Sequence, residues 1–234
     1  MCYSVILDLG GVCVFPRMGL WHLPVNYRAV LGSRADSART PEYTALTQEL
    51  FYMLDERHFV DSLDDEEIMV RKYYAEIGRR MGWNLTDDEV NALAHSEVYD
   101  EARFAIFPDT VPFLKMWRNL TQIGILTNAL PSVGKYLINS GLNALVSQSV
   151  VSTLVGAGKP DREAYEIICR RMDVSPESCI FVDDLTENLL GARKCGMRAI
   201  LMRRDVRKPV SDWDGEVIRD FKELDKLLCE EICK

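Results

Sequence analysis

The sequence predicts an α/β fold: a mostly parallel sheet with helices on both faces, and a helical segment inserted after the first strand. Three observations lead there. Short apolar runs rich in β-branched residues recur at 3–7, 122–126, 179–182 and 198–202, each ending at polar or glycine positions. Segments with helical spacing lie between them, and strands alternating with helices call for crossover connections and parallel pairing. The stretch 15–104 breaks this alternation, with helical patterns and few strand-like runs.

The first run, 3–7, leads into Asp8-Leu9-Gly10-Gly11-Val12. In the strand-poor stretch, 42–54, 65–81 and 87–98 read as helices with acidic residues at their N-terminal ends, where the helix dipole favours them. Beyond it, Phe113, Leu114, Trp117 and Leu120 repeat at helical spacing, and Pro108-Asp109 supplies a start. The run 122–126 is followed by a weaker strand candidate at 145–151. A helix over 161–172 follows Lys159-Pro160, with Tyr165, Ile168 and Met172 on one face. After 179–182, Leu189, Leu190 and Ala192 continue a helix to Cys195-Gly196, where the glycine suits a C-terminal cap. The last segment, 215–232, is amphipathic and expected to pack on the sheet as a helix. The expected division is a core of 1–14 and 105–234, with 15–104 as a separate helical unit.

At 234 residues with 47% hydrophobic and 27% charged side chains, the chain can bury a full-size core. A net charge of -8 argues against nucleic acid or an anionic membrane as the main partner. The seven cysteines (Cys2, Cys13, Cys169, Cys179, Cys195, Cys229 and Cys233) contain no Cys-x-x-Cys pair. Odd in number and set mostly in apolar runs, they fit a reducing compartment and offer neither a disulfide framework nor a zinc site. The N-terminal apolar run lacks a basic flank and is interrupted by Asp8, and no run approaches the length of a membrane span. The expectation is a cytoplasmic protein, monomer or homodimer.

Four pieces fall at strand ends, where ligands of parallel sheets bind. They are Asp8 with its glycine turn, Thr127-Asn128, Gly158-Lys159-Pro160, and Asp183-Asp184 with Asn188 following. Taken singly, each has a plain structural reading: a turn or helix cap, or a solvated lysine. Four such readings in this order are less economical than one shared site. A carboxylate attacking a phosphate dianion needs a hard divalent cation to offset repulsion, and Mg²⁺ prefers carboxylate, carbonyl and water oxygens. Asp8, the Gly10 carbonyl and a carboxylate from Asp183-Asp184 supply that donor set. Thr127 and the following N–H groups can donate to phosphate oxygens, with Lys159 offsetting the remaining charge.

In this order, and across nearly the whole chain, these residues resemble the four motifs of the haloacid dehalogenase superfamily. The resemblance implies a Rossmann-like core with a helical cap, and Mg²⁺-dependent hydrolysis of a small phosphorylated molecule such as a sugar phosphate. It makes Asp8 the nucleophile that forms an aspartyl-phosphate, and gives Thr127, Asn128 and Lys159 the phosphoryl group. Asp183 and Asp184 then serve the metal, and Asn188 orients the lysine or an acidic neighbour. Within the superfamily, the Asp-Leu-Gly-Gly-Val turn with Phe-Val-Asp-Asp is similar to the N-terminal phosphatase domain of soluble epoxide hydrolases and to bacterial sugar-phosphate phosphatases.

One position departs. Most phosphatases of the superfamily carry aspartate where this chain has Gly10, and that group acts as general acid and base, worth roughly a hundred- to ten-thousand-fold in rate. Three accounts stay open: a leaving group that departs unaided, a substitute such as His22, His58 or an acid of the insertion, or lost catalysis with binding retained. A metal-independent haloacid dehalogenase is the other enzyme class to weigh, although it has little use for a carboxylate pair after the fourth strand.

Two local matches are coincidental. Gly158-Lys159 resembles the end of a P-loop, but Thr153 and Pro160 occupy required glycine and hydroxyl positions. Asp183-Asp184-Leu185-Thr186-Glu187 has a terpene-cyclase spacing but follows a strand. His22, His58 and His95 are too dispersed for a zinc site. Trp21, Leu23, Tyr27, Phe51, Tyr52, Met53 and Phe59 read first as the insertion's own core, and second as an apolar lining for a substrate with an apolar tail, an isoprenoid or lipid phosphate.

Overall fold

The computed structural model describes residues 3–54, 60–205 and 213–232. Strand β1 (Ser4–Leu7) runs into a tight turn and then β2 (Val14–Pro16). The helical stretch follows, with α1 (Tyr27–Leu31), α2 (Pro41–Glu49), α3 (Leu63–Arg80) and α4 (Asp87–Tyr99). Strand β3 (Phe104–Ile106) returns antiparallel to β2, so the two form a ribbon at the stem of the insertion. The chain continues through α5 (Thr110–Trp117), β4 (Ile123–Thr127), α6 (Pro131–Asn139) and β5 (Gln148–Val151). It then passes through α7 (Ser152–Val155), α8 (Arg162–Met172), β6 (Cys179–Asp183) and α9 (Thr186–Lys194). It ends with β7 (Arg198–Met202), β8 (Val217–Ile218) and α10 (Phe221–Ile232).

Six strands form one sheet in the order β5-β4-β1-β6-β7-β8. Every pair in it is parallel. The α/β reading therefore holds. Strands buried on both faces read as continuous apolar runs, and side chains alternate between faces. Val5, Leu7, Ile123, Ile125, Ile180 and Val182 enter one apolar cluster, whereas Ile6, Leu126, Val150, Cys179 and Phe181 enter another. A third cluster, from Leu23 to Val98, is built wholly within the insertion.

Two expectations shift in detail. The segment 42–54 is α2 followed by a 3-10 turn over Leu50–Leu54. The segment 215–232 opens with the edge strand β8 rather than as continuous helix. Asp109 precedes α5 but does not cap it: its carboxylate binds Arg204 Nη1 at 2.9 Å and the Phe221 N–H at 2.8 Å, tying the start of α10 to this helix. Gly196, at φ 96°, ends α9 in the left-handed region, which suits glycine. No helix among the described residues is long and apolar enough to cross a membrane. Cys13, Cys169, Cys179, Cys195 and Cys229 are free thiols; Cys2 and Cys233 lie outside the described residues.

Candidate active site

Strand β1 is central, with β4 on one side and β6 on the other, so the carboxyl ends of all three open at one place. Leu7 pairs with Ile125 and with Val182, which sets Asp8, Thr127 and Asp183 at neighbouring strand ends. The Asp8 N–H donates to the Val182 carbonyl at 2.8 Å, extending the ladder one residue past β1. Asp8, Thr127, Lys159, Asp183 and Asn188 are all buried.

The Lys159 ammonium lies between two carboxylates, 2.6 Å from Asp8 Oδ1 and 2.7 Å from Asp183 Oδ2. Its main chain is fixed by Asn128. The Lys159 N–H donates to Asn128 Oδ1 at 2.7 Å, and Asn128 Nδ2 donates to the Lys159 carbonyl at 2.7 Å. The Asn128 side chain is thus spent on Lys159, leaving its backbone as the group available to a ligand. The Ser152 hydroxyl accepts from the Ala129 N–H at 3.0 Å and the Thr153 hydroxyl donates to the Ala129 carbonyl at 2.9 Å, so the start of α7 holds the loop after Thr127.

Asn188 Nδ2 sits 3.2 and 3.1 Å from the two Asp183 oxygens, and Leu185 N–H donates to Asp183 Oδ1 at 2.8 Å. Asn188 therefore bonds the acidic neighbour rather than the lysine. Asp184 points toward the first loop: a Cβ on Gly11 would lie 2.3 Å from its Oδ2. Gly11 also has φ 72°, so both its conformation and the carboxylate beside it require glycine.

Burial pushes the Asp8 carboxyl above the usual carboxylate range, opposed by Lys159 and reinforced by Asp183 and Asp184. Lys159 is held as an ammonium: the flanking carboxylates outweigh its burial. Carboxylate oxygens of Asp8, Asp183 and Asp184 lie within 4.8 Å of one another. Three carboxylates against one ammonium leave excess negative charge, and an all-oxygen donor set suits a hard divalent cation. On charge and donor chemistry, the site fits Mg²⁺.

Gly10 faces Trp21, whose ring would lie 3.1 Å from a Cβ at that position. His22 Nδ1 stands 3.3 Å from the buried Glu97 Oε1, with its ring 5.3 Å from that of Phe51. His95 stacks on Tyr99 at 4.5 Å on the surface. His58 and Phe59 lie outside the described residues. Leu23 and Tyr27 are buried in the insertion's cluster, while Trp21 and Phe51 are exposed.

Sequence reasoning missed a buried polar junction between the insertion and the sheet. Glu66 of α3 accepts from both the hydroxyl and the N–H of Ser132 in α6. Arg103 Nη2 donates to the same hydroxyl at 2.6 Å, and its Nη1 bonds the Glu97 carbonyl. Glu66 sits in the acidic first turn of α3 beside Asp64 and Asp65, and nothing local separates it from those solvated neighbours.

The chain matches the model of the haloacid dehalogenase-like hydrolases over residues 4–196. Among curated proteins, it is 38% identical over 125 residues to phosphatase MT3486 of Mycobacterium tuberculosis, covering 52% of this chain and 55% of that one. It is 28% identical over 155 residues to a glyceraldehyde 3-phosphate phosphatase of Methanopyrus kandleri, covering 63% and 65%. The chain thus spans between half and two thirds of the length of these relatives. Among solved structures, a HAD phosphatase from Thermococcus onnurineus superposes with a TM-score of 0.64 at 20% identity, covering 97% of each chain. The L-2-haloacid dehalogenase RSc1362 superposes at 0.71 with 16% identity, covering 97% of this chain and 98% of that one. At such identities the likeness concerns the fold, which phosphatases and dehalogenases share.

Proposed function

Because the chain belongs to the haloacid dehalogenase-like hydrolases, we propose that it hydrolyses a small-molecule phosphomonoester through an aspartyl-phosphate on Asp8. The observation that carries this reading is the Lys159 ammonium bridging Asp8 and Asp183 at adjacent strand ends, with Asp184 completing an acidic cluster. The phosphatase names of the relatives support it. A dehalogenase acting without metal has no evident need of three clustered carboxylates.

Asp8 attacks phosphorus, the leaving oxygen departs, and water then releases inorganic phosphate and restores the carboxylate. The Thr127 hydroxyl and the Asn128 backbone N–H donate to the phosphoryl oxygens, and Lys159 offsets their charge. Asn188 and the Leu185 N–H hold Asp183 in place. Asp8, the Gly10 carbonyl, Asp183 and Asp184 would hold Mg²⁺, which supplies charge neutralisation at the phosphate. Residues 15–104 act as a cap that excludes water and selects the substrate, a sugar, isoprenoid or lipid phosphate.

The test is Asp8→Asn, assayed for phosphate release across phosphorylated metabolites with Mg²⁺. The variant should fold and release no phosphate. Wild-type turnover by Asp8→Asn would overturn the mechanism, and binding without turnover by the native protein would favour a non-catalytic phosphate-binding role.

A further inference from the structure

Trp21 stands where a side chain at position 10 would project. A Cβ built on Gly10 lies 3.1 Å from Trp21 Cη2, 3.4 Å from Cζ2 and 3.8 Å from Cζ3. The benzo edge of the indole therefore covers the α-carbon two residues after Asp8. The ring rests against Phe104 at 5.9 Å, tilted by 58°, yet the residue keeps 43% of its surface exposed. Gly10 is not among the glycines with positive φ, so its backbone does not require glycine. What the missing side chain provides is room for the indole.

We propose that Trp21 is a specificity-determining residue that receives a flat apolar leaving group joined through an acidic oxygen, as in an aryl or enol phosphomonoester. This rests on the phosphatase reading above. Two physical consequences of the Gly10–Trp21 contact point the same way. The benzo carbons neither donate nor accept protons, so the indole occupying the place of a side chain at position 10 gives a leaving oxygen no proton, which favours one that leaves readily as the anion. A phenol ionises near pKa 10, far more readily than a simple alcohol, whose acidity is close to that of water; only the former departs readily unprotonated. The exposed indole also offers an aromatic face, which favours offset or edge-on contact with another ring. In the step itself, the Asp8–phosphorus bond forms as the bond from phosphorus to the aryl oxygen breaks. The electron pair leaves on the aryloxide, which takes its proton from solvent.

The experiment compares phenyl phosphate, acetyl phosphate and glycerol 3-phosphate by phosphate release in the wild type, Trp21→Ala and Trp21→Phe. Acetyl phosphate has a good leaving group without a ring, and glycerol 3-phosphate a poor one. In the wild type, phenyl phosphate should exceed glycerol 3-phosphate in kcat/KM by about a hundredfold or more. The ratio of phenyl to acetyl phosphate should fall about tenfold in Trp21→Ala, mainly through KM, and recover partly in Trp21→Phe. Binding is read independently with phenylphosphonate, which should quench tryptophan fluorescence in the wild type and much less in Trp21→Phe, since Trp83, Trp117 and Trp213 are buried. An unchanged phenyl-to-acetyl ratio in Trp21→Ala, or equal use of glycerol 3-phosphate by the wild type, would overturn the role of Trp21. Failure to release phosphate from any of the three would instead overturn the phosphatase reading beneath it.

Discussion

Glu66 Oε2 accepts the Ser132 N–H at 2.7 Å, so a carboxylate from the helical insertion caps a helix of the sheet domain. Helix α6 begins at Pro131, four residues beyond Thr127, and Leu130 before it offers no side-chain cap. Glu66 thus joins the helical stretch to the element that follows β4, whose end carries Thr127. Its removal would leave a buried N–H and hydroxyl short of an acceptor. Glu66→Ala should cost about 2–3 kcal/mol of stability by denaturant unfolding, the scale of hydrogen bonds to a charged group. A loss below a few tenths would mean that water replaces the carboxylate.

The same residue predicts a pH dependence. Burial raises the Glu66 carboxyl above its usual 4.5, against the opposing effect of Ser132 and Arg103. Between 4.5 and the raised value the folded chain holds a proton that the unfolded chain has lost, so stability falls as pH rises through that window. Glu66→Gln cannot titrate. Plotted against pH, wild-type stability minus that of Glu66→Gln should decline from pH 4.5 upward; a flat or rising difference would contradict a raised carboxyl.

Metal binding should be visible without turnover. A ligand that binds only the folded state stabilises it by about 2.7 kcal/mol at a hundred times its Kd. Mg²⁺ should accordingly raise the Tm of the wild type, and Asp184→Asn should lose most of that rise. An equal rise in the variant would place the ion elsewhere.

Gly11→Ala tests the contact between the first loop and the fourth motif. The new methyl would meet Asp184 Oδ2 at 2.3 Å and sit on a backbone with φ 72°. The left-handed conformation alone should cost about 1–2 kcal/mol, and displacement of Asp184 should weaken the Mg²⁺-dependent rise in Tm. A variant with wild-type stability and an undiminished rise would refute the steric argument.

The core of the fold was legible because parallel strands announce themselves. Val5-Ile6-Leu7 and Ile180-Phe181-Val182 are buried on both faces, and such runs have no polar alternative. The residues at their ends were legible for the same reason: Asp8, Thr127 and Asp183 are polar residues placed where an apolar run stops. Strand β8 was not legible, since its two residues lie at the sheet edge and its pairing with Leu201 and Met202 is long-range. Nor was Asn128 separable from a phosphate donor, because its partner is the main chain of Lys159, thirty-one residues away.

By itself, then, the sequence determined the α/β class and the order of polar residues at strand ends, because local periodicity and strand termination are written in neighbouring residues. Tertiary structure alone decided that Lys159 lies between Asp8 and Asp183, that Glu66 turns inward to Ser132, and that Trp21 fills the space over Gly10. Those contacts join residues far apart in the chain, and their partners are selected by packing and by the need to pair buried charge, neither of which leaves a local signature.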